Sequence, residues 1–444
     1  MTDTNIKIEF PEITQEDFDH AFECLEVCKR KSAEKYGFNY PYFTPGGLYG
    51  EQWWQLDSAL ALCGYKWYDR SFAETSLLNF IEAQKADGRI CLWGYDTLPG
   101  GNYKQIHGVS SLPKIFDVAY HILQGTTDKI LIENTHEMMK KYLEWWFKNR
   151  QDKKTGLITA TFEETFIPYL GCAGEYAPVD TNVEVAVGCR YTADIAVSLG
   201  KSEEAEYFNA KQEEIAASVN KYLWSEEKGA YYPFSIKDNR LIDCLMASAF
   251  CPLRLGMLSQ ERKARLIELL TDHKHFNWQT IPLTSVSKCD PIFKTTRGEY
   301  KGNDSWSGNV WSLLNEMTVR GLLDCGENEL AAELAVKTVY AFNHNCTEFV
   351  NPFDGSGHGV IQYAWTASQY IELIIEIIFG VCYNAEKNEL SISPNIPKGL
   401  KNRRFSLKNL NIPGGGTLDL IIDNGEIEYS IKHSSVAVLI KNNG

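Results

Sequence analysis

The sequence has 444 residues, of which 44% are hydrophobic, so it can bury two or three average domains or one repeat-built domain with an appendage. Its formal net charge of −14 argues against nucleic acid or an anionic membrane as the main partner, because both would repel it. The N-terminal segment shows no basic stretch followed by an apolar one. No apolar run approaches the roughly 20 residues of a membrane helix. We therefore expect a cytoplasmic protein that does not associate with membranes.

A helical period recurs from the start of the chain to about residue 379. The predicted helices span 14–36, 51–64, 68–86, 109–124, 127–149, 181–199, 202–223, 242–257, 259–271, 306–321, 325–343 and 361–380. Ser202 and Ser259 are predicted N-caps, and glycines stand at the expected C-terminal stops, namely Gly64, Gly125, Gly200, Gly321 and Gly380. Twelve helices in six consecutive hairpins predict a mainly α protein, an (α/α)6 toroid of inner and outer helices whose loops form a funnel-shaped site.

The pattern changes after residue 381. Apolar and polar residues alternate there, separated by Pro, Gly and Asn-Gly turns, and Asn424-Gly425 is a strong hairpin signal. We predict a barrel domain over residues 1–381 and a small C-terminal β module, sandwich-like and packed on the helices, over residues 382–444.

The twelve cysteines are scattered, and no CxxC pair is present. Cys24 and Cys28 are four residues apart on one face of a predicted helix. Without a secretory signal, free buried thiols are favoured over disulfides, and we expect neither a metal site nor a cofactor.

Two segments combine aromatic, polar and glycine residues with the start of a helix. The first, SWSGNVW, contains Trp306 and Trp311. The second, TEFVNPFDGSGHG, contains Glu348, Asn351 and His358. A Trp face covers the apolar C–H face of a sugar ring, and a Glu beside it can act as acid or base. These segments predict a sugar site, with Glu348 as a catalytic group and the other four residues as substrate contacts.

A second carboxylate is expected from the long loop TATFEETFIPYLGCAGEYAPVDTN. Glu163 and Glu164 follow an aromatic residue there, and a glutamate held against aromatic rings would have a raised pKa, which suits a proton donor. Glu175 and Asp180 are the alternatives. Because Asp180 immediately precedes a helix, a capping or structural role is favoured for it over an acid.

The segment YGEQWWQLDSALALCG places Trp54 and Asp57 on the same side of a helix start, where they could contact substrate. The loop LWGYDTLPGGNYKQIHG could close over the funnel and add Trp93 or His107, although a core role is favoured for it.

The chain resembles the (α/α)6-barrel inverting glycosidases of the family 63, trehalase and mannosylglycerate hydrolase type. The resemblance rests on NDSWSGNVWSLLNEMTVRGL, similar to the family's YWRGPVWxxxNxLxxRGL, and on TEFVNP followed by YAWTASQYIELI, similar to xYEYYNP followed by FSWTAALxLxLL. It also rests on QWWQLDSALALCG, SSLPKIFDVAY and PVDTNVEVAVG, similar to WxWDxxFxxxG, TQPPxxAxxA and PVDLNxxL. These segments follow in order over nearly the whole helical region.

The resemblance implies that Glu348 is the general base, that Trp54 and Asp57 contact sugar, and that Trp306 and Trp311 are the aromatics of the WRGPVW step. Three departures stand beside it. Ser307 replaces the arginine of that step, Ser111 replaces the glutamine of TQPP, and FEETFIP replaces the acid-bearing ESGxDNS. One alignment makes Glu163 the acid, whereas another places Ile167 there and leaves the acid missing or moved.

We therefore predict a metal-independent glycoside hydrolase that attacks a short α-linked oligosaccharide or glycoside from its non-reducing end. Inversion would require roughly 6.5–9.5 Å between the acid, Glu163 or Glu164, and the base Glu348. The alternatives are a sugar epimerase or isomerase, with His107, His344 and His358 as candidate histidines, and a non-catalytic carbohydrate-binding protein on a degenerate barrel.

Overall fold

The computed structural model describes residues 5–32, 38–94, 108–161, 163–166, 176–295 and 306–441. Its helices are α1 Gln15–Cys28, α2 Gln55–Tyr65, α3 Arg70–Ala83, α4 Ile115–Leu123, α5 Lys129–Asn149, α6 Val179–Ser198, α7 Ser202–Tyr222, α8 Gln260–Thr271, α9 His273–Phe276, α10 Ser312–Asp324, α11 Asn328–Phe342 and α12 Ala364–Glu372. The chain also forms 3-10 helices at Gly47–Tyr49, Ala247–Leu255 and Lys398–Leu400, and α12 continues as a π-helix over Leu373–Ile378. None of the described helices is long and apolar enough to cross a membrane.

Each predicted helix has a counterpart, and two of the predictions need correction. The helix expected over 14–36 ends at Cys28, because Lys29–Arg30 pairs as a strand with Tyr42–Phe43. The helix expected over 242–257 is the 3-10 helix Ala247–Leu255, which contains Pro252. Proline removes a backbone donor and clashes with the preceding turn of an α-helix, so the tighter helix is the outcome.

The predicted residues at the helix ends are confirmed in part. The hydroxyl of Ser259 accepts a hydrogen bond from the backbone N–H of Arg262 and caps α8, as predicted. Ser202 is instead the first helical residue of α7, and Lys201 occupies the cap position. Gly200 and Gly380 follow helices with φ of +72° and +65°, the left-handed conformation typical of a C-terminal stop.

Gly64 and Gly321 have a different role, because both lie inside helices. A Cβ atom built on Gly64 would lie 2.1 Å from the carbonyl oxygen of Ser368 in α12. A Cβ on Gly321 would lie 2.9 Å from the Cβ of Leu253. These glycines allow neighbouring helices to approach closely, so the predicted stop signals are packing contacts.

Six helical segments pack in a closed order. Helix α2 contacts α4, α4 contacts α6, α6 contacts the 3-10 helix Ala247–Leu255, that helix contacts α10, and α10 contacts α12. Helix α12 then packs on α2. The helices between them along the chain lie against this set, with α1 on α12, α5 and α7 on α6, and α11 on α10.

A buried ion-pair network joins four of these segments. The Nζ atom of Lys114 contacts Asp117, lies 3.6 Å from Glu184 and lies 3.4 Å from Glu316. Arg254 donates to Glu184 at 2.8 Å and to Asp117 at 3.1 Å. Removing one partner of a buried pair leaves an uncompensated charge, at a cost of about 3–5 kcal/mol. The network therefore ties α4, α6, the 3-10 helix and α10 together behind the site.

The strands are β1 Lys7–Glu9, β2 Lys29–Arg30, β3 Tyr42–Phe43, β4 Tyr176–Ala177, β5 Trp224–Ser225, β6 Ala230–Tyr231, β7 Phe234–Ser235, β8 Arg240–Leu241, β9 Phe349–Val350, β10 Gly357–His358, β11 Val381–Asn384, β12 Glu389–Ile392, β13 Arg404–Asn411, β14 Thr417–Asp423, β15 Glu426–Lys432 and β16 Ala437–Ile440. The C-terminal strands form two sheets, in the orders β1-β13-β14-β15 and β11-β12-β16. The turn at Asn424-Gly425 joins β14 to β15 as a hairpin, as predicted.

The pairing of β1 with β13 was not predicted. Ile8 pairs with Leu407, and Glu9 pairs with Ser406, so an N-terminal strand completes the C-terminal sheet. The Phe10 ring then contacts Phe405 with ring centroids 5.2 Å apart. The sheet packs on the same apolar core as the helices. The division at residues 381 and 382 stays a prediction.

Candidate active site

The candidate site lies where the N-terminal ends of several helices meet. Trp54, Trp311 and Tyr363 are the N-cap residues of α2, α10 and α12, and Asp57 and Asp180 lie in the first turns of α2 and α6. The contacts described below bring these positions together. The sequence segments singled out for sugar chemistry therefore converge, although they lie as far apart as residues 54 and 363.

Glu348 is fixed by a short hairpin of β9 and β10. Its backbone N–H donates to the carbonyl of Val360 at 2.9 Å, and its Oε2 accepts from the Val360 N–H at 3.1 Å. Gly359 has a φ of +78°, and a Cβ there would lie 2.5 Å from that same Oε2. The glycine is thus required both by the turn and by the space that the carboxylate occupies.

The Glu348 side chain is 5% exposed. Burial raises the pKa of its carboxyl to about 7, the charge of Asp57 adds to the rise, and the Val360 hydrogen bond opposes it. A carboxyl group with a pKa near neutrality exchanges a proton readily at physiological pH, as a general acid or base must.

Asp57 is the central carboxylate of the site. Its Oδ1 accepts a hydrogen bond from the Tyr363 hydroxyl at 2.6 Å. Burial raises its pKa to about 6, whereas the Tyr363 hydrogen bond opposes the rise. Its charge also raises the pKa of both Glu163 and Glu348, so Asp57 lies close to each of them.

Glu163 lies in the short described segment 163–166. The carbonyl of Glu163 accepts from the Leu112 N–H at 3.1 Å, and the side chain is half-buried. Burial raises the pKa of its carboxyl to about 7, with a further contribution from the charge of Asp57. This is the behaviour expected of the predicted proton donor.

Glu164 has a different environment from its neighbour. Its two oxygens accept from the Arg150 guanidinium at 2.6 and 2.7 Å, and also from the backbone N–H groups of Ser110 and Thr161, both at 2.9 Å. The side chain is completely buried. The two parallel hydrogen bonds from Arg150 fix the geometry of the carboxylate. These contacts give Glu164 a structural role, and the choice between Glu163 and Glu164 as the proton donor stays a prediction.

Asp180 braces the segment that carries Glu163. Its carboxylate accepts from the Thr165 hydroxyl at 2.9 Å, from the Phe166 N–H at 2.6 Å and from the Thr181 N–H at 2.9 Å. Burial raises its pKa. The structural role favoured for Asp180 from the sequence agrees with these contacts. Glu175, like His107, lies outside the described residues.

Two aromatic pairs flank the carboxylates. Trp54 stacks on Trp93 with ring centroids 5.2 Å apart, and Trp306 stacks on Trp311 at 3.9 Å. Trp54 and Trp306 are half-buried, so each keeps an accessible surface for a ligand. Trp311 is 0% exposed. Trp311 therefore supports Trp306 from behind, and its contact with substrate stays a prediction.

Of the two predicted contacts in the β9–β10 segment, Asn351 is buried and His358 is partly exposed. Asn351 is 0% exposed, and its Oδ1 accepts from the Phe353 N–H at 2.9 Å. It shapes the turn between β9 and β10, and its direct contact with substrate stays a prediction. His358 is half-buried and pairs through Nε2 with the Ser356 hydroxyl at 2.8 Å. It remains a candidate contact on the rim.

Three site residues escaped the sequence analysis, namely Tyr363, Arg150 and Gly359. Tyr363 is the first residue of YAWTASQYIELI, so its position at a helix start beside Glu348 was an available signal. Arg150 ends helix α5, and nothing local in the sequence links it to Glu164. Gly359 was visible as part of a glycine-rich turn, but its close approach to Glu348 depends on the hairpin.

Among the described residues, one group of His, Cys, Asp and Glu side chains brings three ligand atoms within 4.8 Å of one another, and it contains none of these carboxylates. The site combines two accessible Trp faces with four carboxyl groups whose pKa values are raised, namely Asp57, Glu163, Asp180 and Glu348. Such an arrangement can hold a sugar ring between aromatic surfaces and transfer protons at two points.

Comparisons with known proteins show the family of this chain. The model of the family described as "Mannosylglycerate hydrolase MGH1-like glycoside hydrolase domain" matches residues 50–165 and 168–366, and the chain belongs to this family. A mannosylglycerate hydrolase of Rubrobacter radiotolerans is 27% identical over 191 residues, which are 42% of this chain and 41% of that protein. The chain spans less than half the length of the curated relatives it matches.

Solved structures share the fold. A GH63 mannosylglycerate hydrolase from Thermus thermophilus, in complex with glucose, has a TM-score of 0.67 at 20% identity and matches 80% of this chain and 99% of its own. A GH78 family rhamnosidase of Bacillus sp. GL1 has a TM-score of 0.68 at 14% identity, over 98% of this chain and 42% of its own. The resemblance drawn from the sequence motifs is confirmed.

Proposed function

We propose that the protein is an exo-acting, inverting glycoside hydrolase that cleaves a short α-linked oligosaccharide or glycoside. The helical body would be the predicted (α/α)6 toroid, with the six segments in closed order as its inner ring and the cleft at their N-terminal ends as the funnel. The observation that carries the proposal is the pair Glu163 and Glu348. These carboxyl groups come from separate loops, both have a pKa raised to about 7, and both lie beside Asp57.

In this mechanism Glu163 protonates the glycosidic oxygen as the bond to the anomeric carbon breaks. Glu348 accepts a proton from a water molecule, whose oxygen attacks the opposite face of the same carbon. Each carboxyl group thus changes its protonation state once, and the product has the inverted configuration. The charge of Asp57 favours positive charge developing on the sugar ring, and its hydrogen bond from Tyr363 holds it in place.

The aromatic residues would define the sugar subsite. Trp54 and Trp306 offer ring faces on which the C–H groups of a sugar can pack. Trp93 and Trp311 hold these rings from behind, so the subsite is rigid. Two relatives are named as mannosylglycerate hydrolases. Mannosylglycerate therefore belongs in the substrate panel together with α-linked gluco-, manno-, galacto- and rhamno-disaccharides.

The reaction is tested by proton NMR of the anomeric region during the first minutes of hydrolysis. Early appearance of the β-anomer from an α-linked substrate is the expected result and would identify the sugar. Early appearance of the α-anomer would reject the inverting mechanism. Absence of turnover with the whole panel would favour the non-catalytic alternative.

The roles of the two glutamates are separated by changing the leaving group. Glu163→Gln should lower kcat/KM about 10²–10⁴-fold on an alkyl glycoside. It should retain most activity on a dinitrophenyl glycoside, whose leaving group needs no proton. Glu348→Gln should lose activity on both, and the exposed Glu203→Gln serves as the control. Equal losses with both leaving groups for Glu163→Gln would remove it from the role of acid.

A further inference from the structure

A histidine and two cysteines converge beside α1, outside the candidate active site. His20 and Cys24 lie one turn apart on α1, and Cys346 precedes Glu348 by two residues. The three ligand atoms, one from each side chain, all lie within 4.8 Å of one another. We propose that this His-Cys-Cys cluster is a binding site for a zinc ion.

The spacing of the ligand atoms matches tetrahedral zinc. With Zn–S bonds of about 2.3 Å and Zn–N bonds of about 2.0 Å, a tetrahedral angle gives about 3.5 Å between sulfur and nitrogen. The His20 Nε2 lies 3.5 Å from the Cys24 Sγ. The same bond lengths give about 3.8 Å between two sulfurs. That value falls inside the 4.8 Å limit within which Cys346 lies.

The burial of the cluster suits a metal with one exchangeable position. Cys24 is 0% exposed and Cys346 is 7% exposed, so both sulfurs are protected from solvent. The His20 side chain is 40% exposed and gives the ion a path from solvent. Three protein ligands leave the fourth position of a tetrahedral zinc ion to water or to an external ligand.

The charges also balance. A zinc ion displaces one proton from each thiol and binds two thiolates, while the imidazole binds in its neutral form, so the buried complex has no net charge. The Nδ1 of His20 lies 3.9 Å from the Glu23 carboxylate. In metal sites, the histidine nitrogen that does not bind the metal usually donates to a carboxylate or a carbonyl, and this contact orients the ring.

The site would connect two parts of the structure. Helix α1 supplies two ligands, and Cys346 belongs to the segment that leads into the Glu348 hairpin. Because zinc binds the folded arrangement and not the separated ligands, it should stabilise the folded protein. The site is independent of the reaction catalysed, since none of its three ligands belongs to the carboxylate cleft.

Zinc binding is tested on the reduced, metal-stripped full chain by titration with ZnCl₂ against a chromophoric chelator. One equivalent is expected to bind. Removing a residue that only orients a metal ligand typically weakens metal binding 10–100-fold. Cys24→Ser and Cys346→Ser each remove a ligand itself, so each should weaken zinc binding about a hundredfold or more. The exposed Cys289→Ser is the matched control and should bind like the wild type.

Two further measurements use the same proteins. ZnCl₂ should raise the Tm of the wild type and of Cys289→Ser, but not that of Cys24→Ser. CoCl₂ added to the wild type should give a thiolate-to-cobalt charge-transfer band with the intense visible bands of tetrahedral cobalt. Unchanged zinc affinity in both Ser variants would overturn the proposal. Absence of the charge-transfer band would overturn it even where a variant fails to fold.

Discussion

Replacing Glu348 by Gln should stabilise the protein at alkaline pH. Glu348 is 5% exposed, and its pKa is raised from an ordinary value of 4.5 to about 7. Gln imitates the neutral form of the carboxyl and can still accept the Val360 hydrogen bond. A group whose pKa is raised on folding contributes stability below its unfolded pKa and loses it as pH rises through its folded pKa. The wild type should therefore lose stability between about pH 4.5 and pH 7 that Glu348→Gln keeps.

The magnitude follows from the pKa difference. At about 1.4 kcal/mol per unit, the wild type should be about 3 kcal/mol less stable than Glu348→Gln at pH 8. At pH 5 the difference should be below about 1 kcal/mol, because this pH is only about half a unit above the unfolded pKa of 4.5. For a chain of 444 residues, an unfolding entropy of about 2.1 cal/mol/K per residue converts 3 kcal/mol into a Tm difference of about 3 °C.

The measurement is thermal unfolding of both proteins at half-unit steps from pH 5 to pH 9, followed by intrinsic tryptophan fluorescence. The expected result is a Tm difference that grows with pH and levels off above about pH 7. Glu164→Gln is the matched control, because it changes the same group at a buried position where the carboxylate is paired with Arg150. That variant should be less stable than the wild type at neutral and alkaline pH.

A Glu348→Gln variant that melts at or below the wild-type temperature at pH 8 would refute this reasoning. The Glu348 carboxylate would then have a favourable partner when ionised, and its use as a base of raised pKa would lose its physical support. A Tm difference that is the same at every pH would also refute it. Such a difference would come from a change in packing and not from the titration of Glu348.

Three further predictions concern two residues of the site and one contact between helices. Glu164→Gln should destabilise the protein by about 3 kcal/mol, since it leaves the Arg150 charge without its buried partner, and its thermal unfolding measures this. Tyr363→Phe removes the donor to ionised Asp57, so it should cost about 1.5–3 kcal/mol and raise the pKa of Asp57. The acidic limb of the pH profile of kcat/KM should then move to higher pH. Gly64→Ala should lower the Tm by several degrees, because its methyl group would collide with a backbone carbonyl of α12.

The helices could be predicted from the sequence because the pattern that indicates each helix lies within its own segment. The positions of the twelve predicted helices depended on apolar periodicity, which each segment carries by itself. The exceptions have local causes as well, since Pro252 favours the 3-10 form. The pairing of β1 with β13 could not be predicted, because three residues of alternating sequence do not indicate which distant strand they join.

Within the site, too, the features that depend on local sequence could be predicted and those that depend on distant contacts could not. Glu348 and Trp306 were predicted from residues near them in the sequence, and the raised pKa of Glu348 fits that prediction. The choice between Glu163 and Glu164 could not be made from the sequence. It depends on Arg150, which reaches Glu164 from the end of another helix. The burial of Trp311 likewise depends on how Trp306 and Phe166 fold over it.

The pairing of β1 with β13 has a consequence for synthesis on the ribosome. The Ser406 hydroxyl contacts the Glu9 carboxylate across 397 residues of chain, at 3.3 Å. At about 5–20 residues per second, on the order of 20–80 s separate the emergence of the two strands. During that interval Ile8 and Phe10 have no sheet to cover them. The nascent chain thus carries an unpaired strand at Lys7–Glu9, with Ile8 and Phe10 uncovered, until the segment around Ser406 has been synthesised, which makes that strand a natural target for a chaperone.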